Sequence, residues 1–429
     1  MQVSGLTSKV DVDSALRARP RYFAKLRKTS GSLWRSYWTI DKGNQSICCI
    51  GSARPCDRKP PSPTSKSEST MKKWNLLKAA ISIAAMAAVA LVVRAADPAF
   101  PAPTGDRQLV PAEARLDRIF DGGCQITEGV AAGHDGMIYF SDVTFTKHCK
   151  DPSGQYAQAG NIWKFNPKTG ETSIFRSPSG MSNGIKFDRE GHMVAALGAD
   201  FGGRMLVKTD MTTGKSYILS GLYEGKPYNG LNDLVIDAKG RIYFTDPRYI
   251  GDEPIYQPGF AAYRLDPDGK VTRVATNCGK CNGIVISPDQ KTLYIISNDN
   301  GWFDVMALKE GEATIQAGHL LQAYEVDGAD DLNNRRVLID YSKLDKPCSG
   351  PDGMVTDEHG NLWVASRCEY RPGIQVLNPQ GKELAFIPTG KELPTNVGFG
   401  RGEDSNLLYV TSGKSLYRIR VGIKGYRLP

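Results

Sequence analysis

Between Glu128 and Asn396 the chain repeats one phrase six times: a polar lead residue, a short apolar strand, a polar turn that usually carries glycine, and a second apolar strand. The copies begin at Glu128, Asn183, Asn232, Asn282, Asp352 and Asn396, spaced 55, 49, 50, 70 and 44 residues apart. A period of that size, filled by alternating strands with no helical pattern, predicts an all-β six-bladed β-propeller with four antiparallel strands per blade. The outer strands follow each phrase, in stretches starting at Asn161, Arg204, Tyr263, Tyr324 with Arg335, and Gly373. Each reads as two extended runs joined by a turn such as Thr169-Gly170 or Asp268-Gly269. The sixth blade has only three strands at the C-terminus, the last beginning at Ser415. The segment Ala114–Phe120 is the expected fourth, closing the ring and removing an exposed edge.

Residues 112–429 are assigned to the propeller and 96–111 to a linker. Residues 71–95 have a short basic start at Lys72 and Lys73, an apolar run from Ala79 to Val93, and the ending Val93-Arg94-Ala95. That run is too short for a spanning helix and fits a secretory signal peptide, so a periplasmic or secreted protein with no membrane span in its mature form is expected. Residues 1–70 carry neither strand repeats nor an amphipathic period and are read as a disordered extension or an upstream mistranslation, with Met71 as the start. N-terminal sequencing of the secreted protein checks this.

Charge divides at the same place. Of 54 Lys and Arg and 46 Asp and Glu, residues 1–95 hold 17 and 5, leaving 37 basic against 41 acidic residues in the remainder. The formal net charge of +8 therefore belongs to the front of the chain, and the folded part lacks the basic stripe that a nucleic-acid binder needs. Six cysteines lie in that part, and in an exported chain local bridges Cys124–Cys149, Cys278–Cys281 and Cys348–Cys368 are the simplest of fifteen connectivities. Cys278-Gly-Lys-Cys281 also has the spacing of a redox or zinc pair, although no thioredoxin-like context or second metal-spaced pair accompanies it.

The lead residues carry the chemistry. The start of each innermost strand points toward the propeller axis, which gathers Glu, three Asn, Asp and another Asn at one place. Such groups are costly to bury without a partner. An all-oxygen set with two carboxylates suits Ca²⁺, with Mg²⁺ or Mn²⁺ as competitors, and no histidine falls on a lead position to favour zinc. The alternative is that these residues only cap strands and order water in a structural channel.

Four of these motifs, Glu128-Gly, Asn232-Asp233 followed by the run to Asp246-Pro, Asn282-Gly283 and Pro351-Asp352-Gly353-Met354, closely resemble those of the SMP-30/gluconolactonase/LRE family of calcium-dependent six-bladed lactone hydrolases. The resemblance runs from about Leu116 to Ile419. It implies Glu128, Asn232, Asn282 and Asp352 as metal ligands and Asp352 as the catalytic residue that orients or activates water. Asn183, Asn232 and Asp233 are the candidate substrate-binding residues; Asp233 and Asp246 are also second-choice acids, with strand-end capping as their other reading. Where some animal members carry a substrate-binding arginine this chain has Gly230, which leaves Tyr228, Asn229 and Arg248 as candidates to replace it.

The expected activity is opening of a sugar lactone or similar cyclic ester, the cation acting as a Lewis acid at the carbonyl. A serine hydrolase is disfavoured, since there is no Gly-x-Ser-x-Gly elbow. Two alternatives stand. One is a phosphotriesterase or arylesterase of the paraoxonase and diisopropylfluorophosphatase type, with specificity in the loops Thr144–Gln158, Tyr249–Phe260 and Ser297–Phe303. The other is a non-catalytic binding propeller using Tyr249, Tyr256, Phe260, Trp302 and Phe303. The expected partner is a small molecule rather than nucleic acid, and the expected state a monomer or weak oligomer.

Overall fold

The computed structural model describes residues 100–299, 318–326 and 332–428. The segments read as an extension and a signal peptide, and Trp302 and Phe303, lie outside the described residues. Among the described residues the fold is all-β, with two 3₁₀ turns at Tyr341–Lys343 and Gly402–Asp404, and no helix long and apolar enough to cross a membrane.

Six four-stranded antiparallel sheets follow one another as blades. Their innermost strands are Ile126–Ala132, Ser182–Phe187, Leu234–Ile236, Cys281–Ile286, Pro351–Thr356 and Pro394–Phe399. Each packs against the next around the ring, and the last returns to the first. The expected closure is present: Asp117–Phe120 pairs antiparallel with Ser415–Arg420 as the fourth strand of blade 6. Within the segment read as a linker, Thr104–Gly105 adds a fifth strand to blade 5, and Leu109 and Val110 are buried.

The core is divided among the six blade-to-blade interfaces, and side-chain alternation explains why. In blade 3, Ile242 and Phe244 face blade 2, packing with Val194 and Leu206, while Tyr243 between them faces blade 4, packing with Ile284 and Ile295. Strands clamped on both faces are apolar over most of their length, and Met193–Leu197 and Ile242–Asp246 are buried at every position, the latter polar only at Thr245 and Asp246 at its end. The polar turns linking first and second strands close by a shared device: Asp237 Oδ1 accepts from the N–H groups of Lys239 and Arg241, as Asp357 Oδ1 does from His359 and Asn361.

The three local disulfides are formed, with Cα separations of 6.1 Å for Cys124–Cys149, 5.6 Å for Cys278–Cys281 and 4.9 Å for Cys348–Cys368. Each lies in segments entering an inner strand or leaving a second strand, which the antiparallel register places at one end of the propeller. That end also holds the lead residues.

Candidate active site

Local irregularity aims the lead side chains. The ladder between first and second strands slips next to the lead residue in five blades, between Glu128 and Val130, Ser182 and Ile185, Cys281 and Ile284, Pro351 and Met354, and Pro394 and Asn396. A bulge frees a residue from the ladder and re-aims its side chain, here away from the inter-blade core. The glycine after the lead residue serves a second need. A Cβ on Gly129 would overlap the Asn183 carbonyl oxygen, and one on Gly283 would sit 2.5 Å from the Asp352 carbonyl oxygen. Glycine thus lets neighbouring lead residues close up around the axis. Hydroxyls latch them there: Ser141 Oγ donates to the Asn183 carbonyl at 2.7 Å and Thr245 Oγ1 to the Asn282 carbonyl at 2.8 Å.

Glu128, Asn183, Asn232, Asn282 and Asp352 line one cavity of 420 Å³. Asn396 and Asp233 do not share it. The Asn396 Oδ1 accepts from the Val397 N–H, and the Asp233 Oδ1 accepts from the Leu234 N–H while its side chain is fully buried beneath Gly184. Asp246 is a strand-end cap, accepting from the N–H groups of Asn229 at 3.0 Å and Gly230 at 2.8 Å. It thereby fixes the segment that enters Asn232.

Charge is concentrated at the cavity floor. Burial, then the Asp352 charge, pushes the Glu128 carboxyl well above its usual range. Burial pushes Asp352 up to about 6 against the opposing pull of Arg367. Two carboxylates that destabilise each other's ionised form are competent to receive a cation. The Asn183 Oδ1 is buried without a hydrogen-bond partner, a further oxygen available to a ligand.

Two residues outside the repeated phrase complete the site. The Tyr249 hydroxyl accepts from Asn282 Nδ2 at 3.1 Å and donates to the Asn298 carbonyl at 2.7 Å, orienting the Asn282 amide. Arg367 places Nη1 3.3 Å from Asp352 Oδ2, at ion-pair distance but without hydrogen-bond alignment. It holds in blade 5 the place that Val143 holds in blade 1, one residue beyond or at the end of the second strand. No periodic signal marks an arginine there; only superposition of the blade phrases finds it.

The candidates to replace the arginine absent at Gly230 are withdrawn from the cavity. Tyr228, Asn229 and Arg248 are all fully buried. Tyr228 pairs with Ser220, Asn229 with Gly259 and Gln257, and Arg248 with Gly251, Glu253 and Pro254. The aromatic loop residues do not form a surface patch either: Phe260 is buried, Tyr249 belongs to the cavity, and of those described Tyr256 alone is exposed. Away from the axis, Asp188, Glu190 and His192 cluster in the polar turn of blade 2, where Lys208 Nζ lies 2.7 Å from Asp188 Oδ2 and already balances the charge.

Comparison with known proteins agrees with this geometry. The model of the SMP-30/gluconolactonase/LRE-like region matches residues 156–414. A gluconolactonase of Zymomonas mobilis is 27% identical over 379 residues, covering 82% of this chain and 97% of its own. Lactonase drp35 of Staphylococcus epidermidis is 28% identical over 329 residues, 71% of this chain and 88% of its own. Among solved structures, a gluconolactonase from Xanthomonas campestris superposes with a TM-score of 0.59 at 25% identity, covering 77% of this chain and 99% of its own.

Proposed function

The chain belongs to the SMP-30/gluconolactonase/LRE-like family, and from that premise we propose that it is an exported lactone hydrolase that works with a divalent cation, Ca²⁺ by preference. The observation that carries the metal reading is the pair of buried carboxylates, Glu128 and Asp352, each near-fully desolvated on one cavity floor with amide side chains beside them. Burying two ionised carboxylates together requires compensating positive charge, and Arg367 supplies one such charge for two; without a further cation the pair is held by a proton.

The donor set fits a hard cation: Glu128, Asn282 and Asp352 would hold it, with Asn232 beside them. When bound, such an ion supplies Lewis-acid polarisation of an ester carbonyl. The remaining work falls to side chains. Asp352, its basicity held down by the cation it would also touch, accepts a proton from the attacking water or fixes its orientation. Asn183 and Asn232 donate to substrate oxygens. Tyr249 stays protonated, since burial and the Asp352 charge push its hydroxyl well above its usual range, and holds the Asn282 amide. Opening a lactone breaks the acyl–oxygen bond, the water oxygen joins the acyl carbon, and its protons end on the departing alcohol and the solvent. Export is supported by three disulfides, which persist in oxidising compartments.

The test is calorimetric titration of chelator-treated protein with Ca²⁺, coupled to a pH-indicator assay over lactones, an aryl ester and a phosphotriester. Stoichiometric binding and acid release from lactones are expected, with both lost in Asp352→Asn. Calcium binding without turnover of any substrate would instead mark a binding propeller.

A further inference from the structure

The cavity wall above the polar floor is segregated. Ile126 and Val143 from blade 1, Met181 before blade 2, Leu231 before blade 3, Ile250 after the second strand of blade 3 and Leu393 before blade 6 form a continuous apolar arc. Asn298, Asp299, Ser349, Arg367 and Glu369, from blades 4 and 5, form the opposite, charged arc. Between them on the apolar side, Gly198, Ala199 and Gly230 contribute almost no side chain. A Cβ on Gly230 would meet the Ala199 Cβ at 3.1 Å, so these two wall positions pack against each other with little room for a side chain.

A polyhydroxylated ring needs donors and acceptors distributed around it, because each hydroxyl stripped of water without a partner costs binding. Above the floor, the side chains of the apolar half offer no free group, since the Tyr249 hydroxyl there is taken up by Asn282 and the Asn298 carbonyl. Tyr228, Asn229 and Arg248, which flank Gly230 and Ile250 in sequence, are committed to internal hydrogen bonds. An apolar wall facing a polar floor suits instead a molecule with a reactive polar ring and a hydrocarbon appendage, and 420 Å³ lies within the usual range for small-molecule sites.

We propose that the preferred substrate class is a lactone bearing an alkyl or aryl substituent, the ring ester set on the Glu128–Asp352 floor and the hydrocarbon laid against the Met181–Leu231–Ile250 arc. The proposal deepens the lactone-hydrolase reading and rests on it. Each methylene buried on the arc strengthens binding by about fourfold.

The experiment measures kcat/KM for a homologous series of δ-lactones with substituents from methyl to hexyl, against δ-gluconolactone, using the full chain with Ca²⁺. A rise of about three- to fourfold per methylene is expected, with the hexyl lactone exceeding δ-gluconolactone by tenfold or more. Ile250→Gln and Leu393→Gln, both at partly exposed positions, flatten that slope while leaving the melting temperature near wild type. A preference for δ-gluconolactone, or a slope that these variants leave unchanged, overturns the substrate class but leaves lactone hydrolysis standing. Calorimetric binding of a hexyl δ-lactam separates the two readings: binding without turnover of any lactone supports the arc and removes the hydrolase, and neither binding nor turnover removes both.

Discussion

At the scale of single residues the site is under electrostatic tension that specific substitutions release. Asp352 is pushed from 3.8 to about 6, and each unit corresponds to about 1.4 kcal/mol, so ionising it in the ion-free site costs on the order of 2–3 kcal/mol. Asp352→Asn removes that charge and its repulsion with Glu128. Melting in chelator is expected to move upward for this variant by a few degrees while lactone turnover falls at least a hundredfold. A lower melting temperature in chelator would show that the two acids are not in conflict. Tyr249 calls for a different measurement. Tyr249→Phe removes the acceptor that orients the Asn282 amide and a donor to the Asn298 carbonyl, at about 1 kcal/mol per hydrogen bond. Calcium affinity is expected to fall by about five- to tenfold with the fold intact, as read by calorimetry and circular dichroism.

At the scale of elements, the repeated phrase was legible because a propeller writes its pattern once per blade. Alternating apolar residues, the Asp-turn devices and the lead positions all recur at that spacing, and the closing strand at Asp117–Phe120 followed from the missing fourth strand of blade 6. What sits outside the phrase was not legible in the same way. Arg367 and Tyr249 enter the cavity from segments just beyond second strands, whose sequence differs in every blade, and Thr104–Gly105 pairs with Glu383–Pro388 through backbone alone. Tyr228, Asn229 and Arg248 illustrate the opposite error: polar residues near a lead position suggested substrate contact, yet the fold spends them on holding loops together. The Cys348–Cys368 bridge belongs to this outer layer, since it brackets Ser349 and Arg367 of the charged arc. Replacing both cysteines with serine opens a link across 20 residues, for which chain entropy gives about 3 kcal/mol. Urea denaturation is expected to show a loss approaching that value, accompanied by a raised KM as the Arg367 segment loosens. An unchanged KM with reduced stability would confine the bridge to a purely structural role.

At the scale of the whole molecule, the ring puts the acids that respond to pH at the same place as the proposed cation site, so the two responses are expected to be coupled. Glu128 and Asp352 at the cavity floor and Asp246 behind it all have carboxyl groups raised by burial, Asp352 to about 6 and Asp246 to about 7. A raised carboxyl binds its proton more tightly in the folded than in the unfolded chain. Its contribution to stability is therefore complete below about pH 4 and is lost as pH climbs through 6 and 7. Surface acids with lowered values, such as Asp188 and Asp289, act in the opposite sense and only below their usual range; His134 and His319, lowered by burial, also act in the opposite sense but only below about pH 6.5, which leaves the window from pH 6.5 to 8 to the three buried acids. In chelator, the melting temperature is expected to fall between pH 6.5 and pH 8. Calcium is expected to reverse the part of that slope due to Glu128 and Asp352, because an ion that binds only the folded state adds stability in proportion to its occupancy, and occupancy rises as the ligands ionise. The part due to Asp246 persists in calcium and disappears in Asp246→Asn, which keeps the loop from Asn229 to Asn232 under one cap acceptor instead of two. Differential scanning calorimetry across that pH range, with and without calcium, on wild type and this variant separates the two contributions; a chelated protein whose melting temperature rises from pH 6.5 to pH 8 would mean that the buried acids are not ionised at the cost their burial implies.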